Sequence, residues 1–199
     1  MKKKLVMITL IVVTFVQTLM AIPIQNDIAL QRLQELKILE NKQIELNKEI
    51  KRGEIIDILI KFMGKEEIIA EELDSCIFVD VPENVQPYIN YLYNEKVIMG
   101  NGSDKFNYDQ YITLKEFMIM ILRILGYTDL KWNSEEMVNE CNKLLEEGEL
   151  QIEEAEFNDI LTYNQMISIL NTALYIPHKD SGVVQIQLLE EKYISTRSE

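Results

Sequence analysis

One pattern recurs three times in this chain: a stretch with helical apolar spacing, a short polar loop, and a second helix opened by a tetrad of the Thr-x-x-Glu kind. Each tetrad follows a single apolar residue, in Ile50-Lys51-Arg52-Gly53-Glu54, Ile112-Thr113-Leu114-Lys115-Glu116 and Leu161-Thr162-Tyr163-Asn164-Gln165. The stretch before each ends on an apolar pair, Ile38-Leu39, Ile98-Met99 and Leu144-Leu145. A helix pair returning about every fifty to sixty residues is the mark of a repeat architecture. Modules of that kind bind more often than they catalyse.

Composition narrows the options. In 199 residues, 47% hydrophobic content suffices for one core and not for two large domains. Seven glycines and four prolines are few for an all-β protein with many tight turns. A formal charge of −13 disfavours nucleic acid and anionic membrane surfaces, which reward basic proteins. The first residues read as a leader: Lys2-Lys3-Lys4, the apolar run Leu5 to Val13, then Ala21 before Ile22-Pro23. A signal peptide over 1–21 implies export, with no stable membrane insertion after cleavage. Export permits a disulfide, and the only two cysteines leave a Cys76–Cys141 bridge open beside a buried free thiol at Cys141.

Along the chain, Ile28, Leu30, Leu33 and Leu36 form an amphipathic stripe behind Asp27 as a candidate cap. Arg52 to Met63 has helical spacing and closes on Gly64, and Lys65 to Leu73 reads as a third, shorter helix. Cys76 to Pro82 reads as an extended segment and turn, and Pro87 suits the first turn of the next helix. Thr113-x-x-Glu116 is a capping box before Phe117 to Leu125, again ended by a glycine, Gly126. Ser134 caps a stripe of Met137, Val138, Cys141, Leu144 and Leu145. Thr162-x-x-Gln165 opens Met166 to Leu174, which Pro177 ends. Val183 to Leu188 alternates weakly, as an edge strand does.

Copy two holds the most specific residues. They are Phe78-Val79-Asp80-Val81-Pro82, a helix ending Val97-Ile98-Met99-Gly100, then Gly102 and Lys105-Phe106, Ile112-Thr113-Leu114-Lys115-Glu116-Phe117, and Leu125-Gly126-Tyr127. This series resembles a surface-layer homology (SLH) repeat, the wall-attachment module of exported bacterial proteins, and the likeness extends over 28 to about 176. The resemblance implies a mainly α fold of three helix-loop-helix repeats in a pseudo-threefold spindle, with short strand segments. The copies would span 22–73, 74–130 and 131–177, with a C-terminal tail over 178–199. It further implies a non-catalytic protein of the cell wall or cell surface, without metal or cofactor. Its partners would be a secondary cell-wall polysaccharide, pyruvylated forms included, and surface-layer or envelope proteins.

In that family an arginine in the tetrad meets the acidic sugar. A guanidinium at a helix N-terminus suits this task, because its planar fork and the helix dipole both favour an anion. Only copy one keeps it, as Arg52; Leu114 and Tyr163 stand in its place elsewhere. The implied ligand set is Arg52 with Lys51, Gly100, Lys105 and Tyr163. Several positions have a plainer reading beside the functional one. Arg52 could be a surface arginine paired with Glu49 or Glu54, and Tyr163 a packed side chain. Glu54, Thr113, Glu116, Thr162 and Gln165 read as helix caps.

The loop Asn101 to Phe106 lacks the oxygen ligands and glycine of a calcium loop. The acids of Glu146 to Glu156 read as a solvated loop, and the lone His178 lacks partners for a zinc site or a triad. The competing function class is a secreted scaffold that keeps the repeat fold and binds no glycan.

Overall fold

The computed structural model describes residues 27–67, 76–99, 104–129, 131, 134–148 and 154–195. The leader, most of the proposed helix at 65–73, Gly100 to Ser103, Trp132 and the last four residues lie outside them. The fold is mainly helical. Helix α1 runs through 27–35. It is followed by α2 (Glu54–Phe62), α3 (Gln86–Asn94), α4 (Leu114–Ile124), α5 (Glu135–Glu147), a 3-10 turn (Glu154–Asn158), α6 (Tyr163–Ala173) and α7 (Gln185–Ser195). No described helix is long and apolar enough to cross a membrane.

The three second helices, α2, α4 and α6, start from one place. Ile50 N–H donates to the Leu161 carbonyl at 3.0 Å, Leu161 N–H to Ile112 at 2.9 Å, and Ile112 N–H back to Ile50 at 3.0 Å. Three backbone segments far apart in sequence thus close a ring of hydrogen bonds. The side chains at its corners, Ile50, Ile112 and Leu161, are completely buried. A second set repeats the geometry one step outward, from Arg52 N–H to Gln110 (2.8 Å), Leu114 N–H to Asp159 (2.9 Å) and Tyr163 N–H to Lys48 (3.1 Å). Among the described residues the strand pairing of each segment with the next is a single antiparallel bridge, Lys51 with Tyr111, Thr113 with Ile160, and Glu49 with Thr162.

Capping follows the sequence closely. Thr113 and Glu116 form a reciprocal capping box on α4, and Thr162 and Gln165 form one on α6. Copy one has half of one: the Glu54 carboxylate accepts from Lys51 N–H at 2.9 Å, and no side chain caps the helix from Gly53. Ser134 caps α5 through Met137 N–H at 3.1 Å. Gly64 and Gly126 end α2 and α4 with φ of +67° and +97°, as the sequence implied. The first helices of copies one and two end alike on lysines in the left-handed region, Lys37 and Lys96. After each, an N–H reaches back five residues, Ile38 to Leu33 and Val97 to Leu92, both at 2.9 Å. Helix α4 is the centre of the molecule, buried from Leu114 to Ile124 apart from Lys115 and Glu116, and it contacts α5, α6 and the 3-10 turn.

Two local expectations are corrected. Residues 76–82 form bends and turns rather than an extended strand, and among the described residues the short strand segments reduce to isolated bridges. Residues 183–188 do not form an edge strand, because Gln185 opens α7. That helix is docked. Gln185 is buried, its Nε2 donating to the Phe62 carbonyl at 2.6 Å and its Oε1 lying 2.8 Å from His178 Nε2. One turn on, Leu189 is buried; another turn on, Lys192 donates to the Gly64 carbonyl at 2.9 Å and pairs with Glu66. Cys76 and Cys141 are unbridged, in line with the reading of Cys141 as a buried free thiol. Burial drives the Cys141 thiol up to about 12, so it stays a packed, protonated group.

Three expectations follow. Leu161→Ala should cost about 2–5 kcal/mol in urea unfolding, as for a fully buried leucine. Val79→Ala, at a position 69% exposed, should stay within about 0.5 kcal/mol of wild type. In the native protein Ellman's reagent should titrate Cys76 alone, with the second thiol reacting only in denaturant; two native equivalents would contradict the packing around Cys141.

Candidate functional site

The ring of hydrogen bonds decides where Arg52 goes. Its own N–H is held by Gln110, and Gly53 N–H by Tyr108 at 2.9 Å, so copy one's tetrad lies directly on copy two's loop. Glycine at 53 is required by this approach, since a Cβ there would sit 2.5 Å from the Tyr108 ring. The Arg52 side chain then crosses into copy two. Its Nε donates to the Phe106 carbonyl at 3.0 Å, and its Nη1 to Glu116 Oε1 at 2.7 Å. The guanidinium lies 4.8 Å from the centre of the Phe106 ring. The pairing expected with Glu49 or Glu54 is therefore corrected to Glu116. That carboxylate has two duties, because its Oε2 accepts the Thr113 N–H at 2.9 Å in the capping box.

Asp80 builds the platform beneath Arg52. Its two carboxylate oxygens accept Phe106 N–H at 2.7 Å and Tyr108 N–H at 3.1 Å, pinning the loop from copy two's first turn. Phe78 packs edge-on to Tyr93 and against Phe106, with centroids at 6.1 and 5.7 Å. The Phe-x-Asp-Val run thus acts as a clasp on the loop that carries Phe106. Burial works against ionisation of Asp80, but the N–H groups of Phe106, Tyr108 and Asn107 outweigh it and hold the carboxyl below its ordinary range.

Beside this platform opens a cleft of about 930 Å³. Among the described residues four cationic side chains line it, Arg52, Lys105, Arg123 and Lys131, against two acids, Glu116 and Asp129. Its apolar wall includes Phe78, Phe106 and Met120. In a chain of charge −13 this is a local reversal of sign. An open furrow along α5 shows the contrary pattern, with Glu135, Glu136, Glu140 and Glu146.

Of the expected ligand residues, the structure brings Arg52 and Lys105 together on the cleft. Lys51 and Tyr163 are not on it. Lys51 is half exposed and pairs with Asp109 at 3.6 Å. Tyr163 opens α6 on another face, with Lys48 Nζ 5.5 Å from its ring centre, and burial raises its phenol pKa. Gly100 lies outside the described residues. At the positions equivalent to Arg52, Leu114 is fully buried and Tyr163 partly so.

Sequence reasoning missed Arg123 and Lys131. Arg123 occupies the last turn of α4 and is 8% exposed. Its Nη1 donates to the Val97 carbonyl at 3.2 Å, while its buried Nε has no hydrogen-bond partner. Burial pulls its pKa down. One signal was present: a lone charge in the apolar run Phe117 to Leu125. Among the described residues no three His, Cys, Asp or Glu side chains gather as metal ligands. No family model matches the chain, and no match was found among curated proteins.

Asp80→Asn should destabilise by about 1–3 kcal/mol at neutral pH, because an amide nitrogen cannot accept the second N–H. The folded pKa is lowered, so the benefit is complete above the unfolded carboxyl's pKa of about 4 and fades as pH falls through the folded value. Urea unfolding from pH 6 to pH 3 should show the gap between variant and wild type closing at the acidic end.

Proposed function

We propose that this chain is an exported, non-catalytic envelope protein built of three degenerate surface-layer homology repeats. It attaches non-covalently to an acidic secondary cell-wall polysaccharide, pyruvylated polymers included, at the cell surface. The observation carrying this reading is the cationic cleft between copy one's tetrad and copy two in an otherwise acidic chain. A cleft with an aromatic wall and a few guanidinium and ammonium donors suits a sugar bearing a negative charge. The closed ring through Ile50, Ile112 and Leu161 supports three equivalent copies about one axis, as a spindle of such repeats requires. Other surface-layer or envelope proteins would be neighbours in the wall.

A second reading is favoured by a specific observation. The Arg52 charge is met by Glu116, and its counterparts Leu114 and Tyr163 carry none. A scaffold that keeps the repeat fold and binds envelope proteins without glycan fits those facts.

Co-sedimentation with purified sacculi separates the two. Wall attachment requires pelleting with intact sacculi and its loss once the secondary polysaccharide is stripped. Binding should also fall steeply towards 1 M salt, where the screening length shrinks to about 3 Å. Equal pelleting with stripped sacculi, or none with either, would leave the scaffold as the better account.

A further inference from the structure

Arg52 and Arg123 face one cleft in different electrical states. Arg52 is neutralised by Glu116 at 2.7 Å, donates to the Phe106 carbonyl and stacks on the Phe106 ring. Arg123 is more than nine-tenths buried, and no salt bridge neutralises it among the described residues. Among the described residues its one hydrogen bond is to the neutral Val97 carbonyl, and its Nε donor is buried and unpartnered. Of the two acids on the cleft among the described residues, Glu116 is paired with Arg52, and Asp129 is largely exposed to solvent, 3.5 Å from Lys179. The carboxyl end of α4 contributes only about half a negative charge, which leaves Arg123 net positive. A buried donor without an acceptor is costly and is found where something else supplies the acceptor.

We propose that Arg123, rather than Arg52, receives the anionic group of the ligand, and that the Arg52–Glu116 pair faces a neutral, hydroxyl-bearing part. Glu116, Met120 and Arg123 stand at i, i+4 and i+7 and line the same cleft, so the two ends lie about 10 Å apart along the helix. That is the length of a sugar unit or two. The ligand class is a saccharide carrying a carboxylate or a phosphate, either of which offers two oxygens to the guanidinium fork. Lys131, on the same cleft, adds a point charge. The proposal rests on the wall-binding reading only for the source of the ligand.

The direct test follows the arginine Nε–Hε resonances of the nitrogen-15-labelled protein, assigned with Arg123→Met and Arg52→Gln. The probes are glucuronate, glycerol 3-phosphate and neutral N-acetylglucosamine. The Arg123 resonance should move saturably with at least one anion and stay still with the neutral sugar, and the anion that works tells carboxylate from phosphate. Arg52→Gln should weaken this response without abolishing it. A shift confined to Arg52, or none at either arginine, overturns the proposal. In parallel, Arg123→Met should weaken sacculus binding on the order of tenfold to a hundredfold, the worth of a charge-assisted contact. Undiminished pelleting of a folded Arg123→Met variant would remove Arg123 and leave wall attachment standing. A saturable Arg123 shift without pelleting would keep the anion site and remove the wall as its source.

Discussion

Everything in this molecule hangs from three hydrogen bonds. Ile50, Ile112 and Leu161 each give an N–H to one neighbour and a carbonyl to the other, and their side chains are sealed from water. Net of what water would offer, such bonds are worth about 0.5–1.5 kcal/mol apiece, too little to explain a fold. Their importance is that all three must be made together. If one segment withdrew, a buried donor and a buried acceptor would be orphaned on different copies, each at a larger cost than the bond itself gains. The ring therefore sets register among parts of the chain that share little sheet and few sequence-local contacts. The apolar cores of the helix pairs supply the stability, and the ring fixes where each second helix begins.

The site is a consequence of that register. Each tetrad starts one residue after a corner of the ring, so its second residue must fall on the neighbouring copy. In copy one this residue is Arg52, and the neighbour presents Phe106 and Glu116. Asp80 keeps the neighbour's loop in place through two N–H groups. Helix capping, loop clasp and cleft wall are thus one continuous set of contacts. A change at Asp80 reaches Arg52 through the loop, without touching it.

Much of this was legible in the residues. The reciprocal boxes at Thr113 and Thr162, the Ser134 cap, Pro87 in the first turn of α3 and the glycine ends at 64 and 126 are local devices, and local devices show in sequence. Long-range partners did not. Glu49 and Glu54 were the natural acids for Arg52 by proximity along the chain, while Glu116 is brought there by ring closure from 64 residues away. The error at 183–188 has the same origin. A short, weakly alternating run does not distinguish strand from helix, and the decision comes from Gln185 reaching the Phe62 carbonyl 123 residues back. Arg123 escaped notice because helical periodicity assigns that run to the core, and a charge in a core run looks like noise until the cleft beside it is seen.

Helix α4 divides its labour along its length. At its first turn Glu116 is saturated, completing a cap for its own helix and an ion pair for the preceding copy, so its charge is already met. At its last turn, among the described residues, Arg123 is held by one carbonyl and left with an unspent donor. Saturated polar groups fix geometry, whereas unsaturated buried ones store free energy that an incoming group releases. An arginine with Glu116 beside it gains little from a second carboxylate, because the new anion must compete with an acid that is already oriented and covalently tethered. An arginine with only a carbonyl gains the full charge-assisted bond. Arg52, paired with the first turn of this helix, is thus the better positioning group, and the inconspicuous Arg123 at its far end has more to offer an anion.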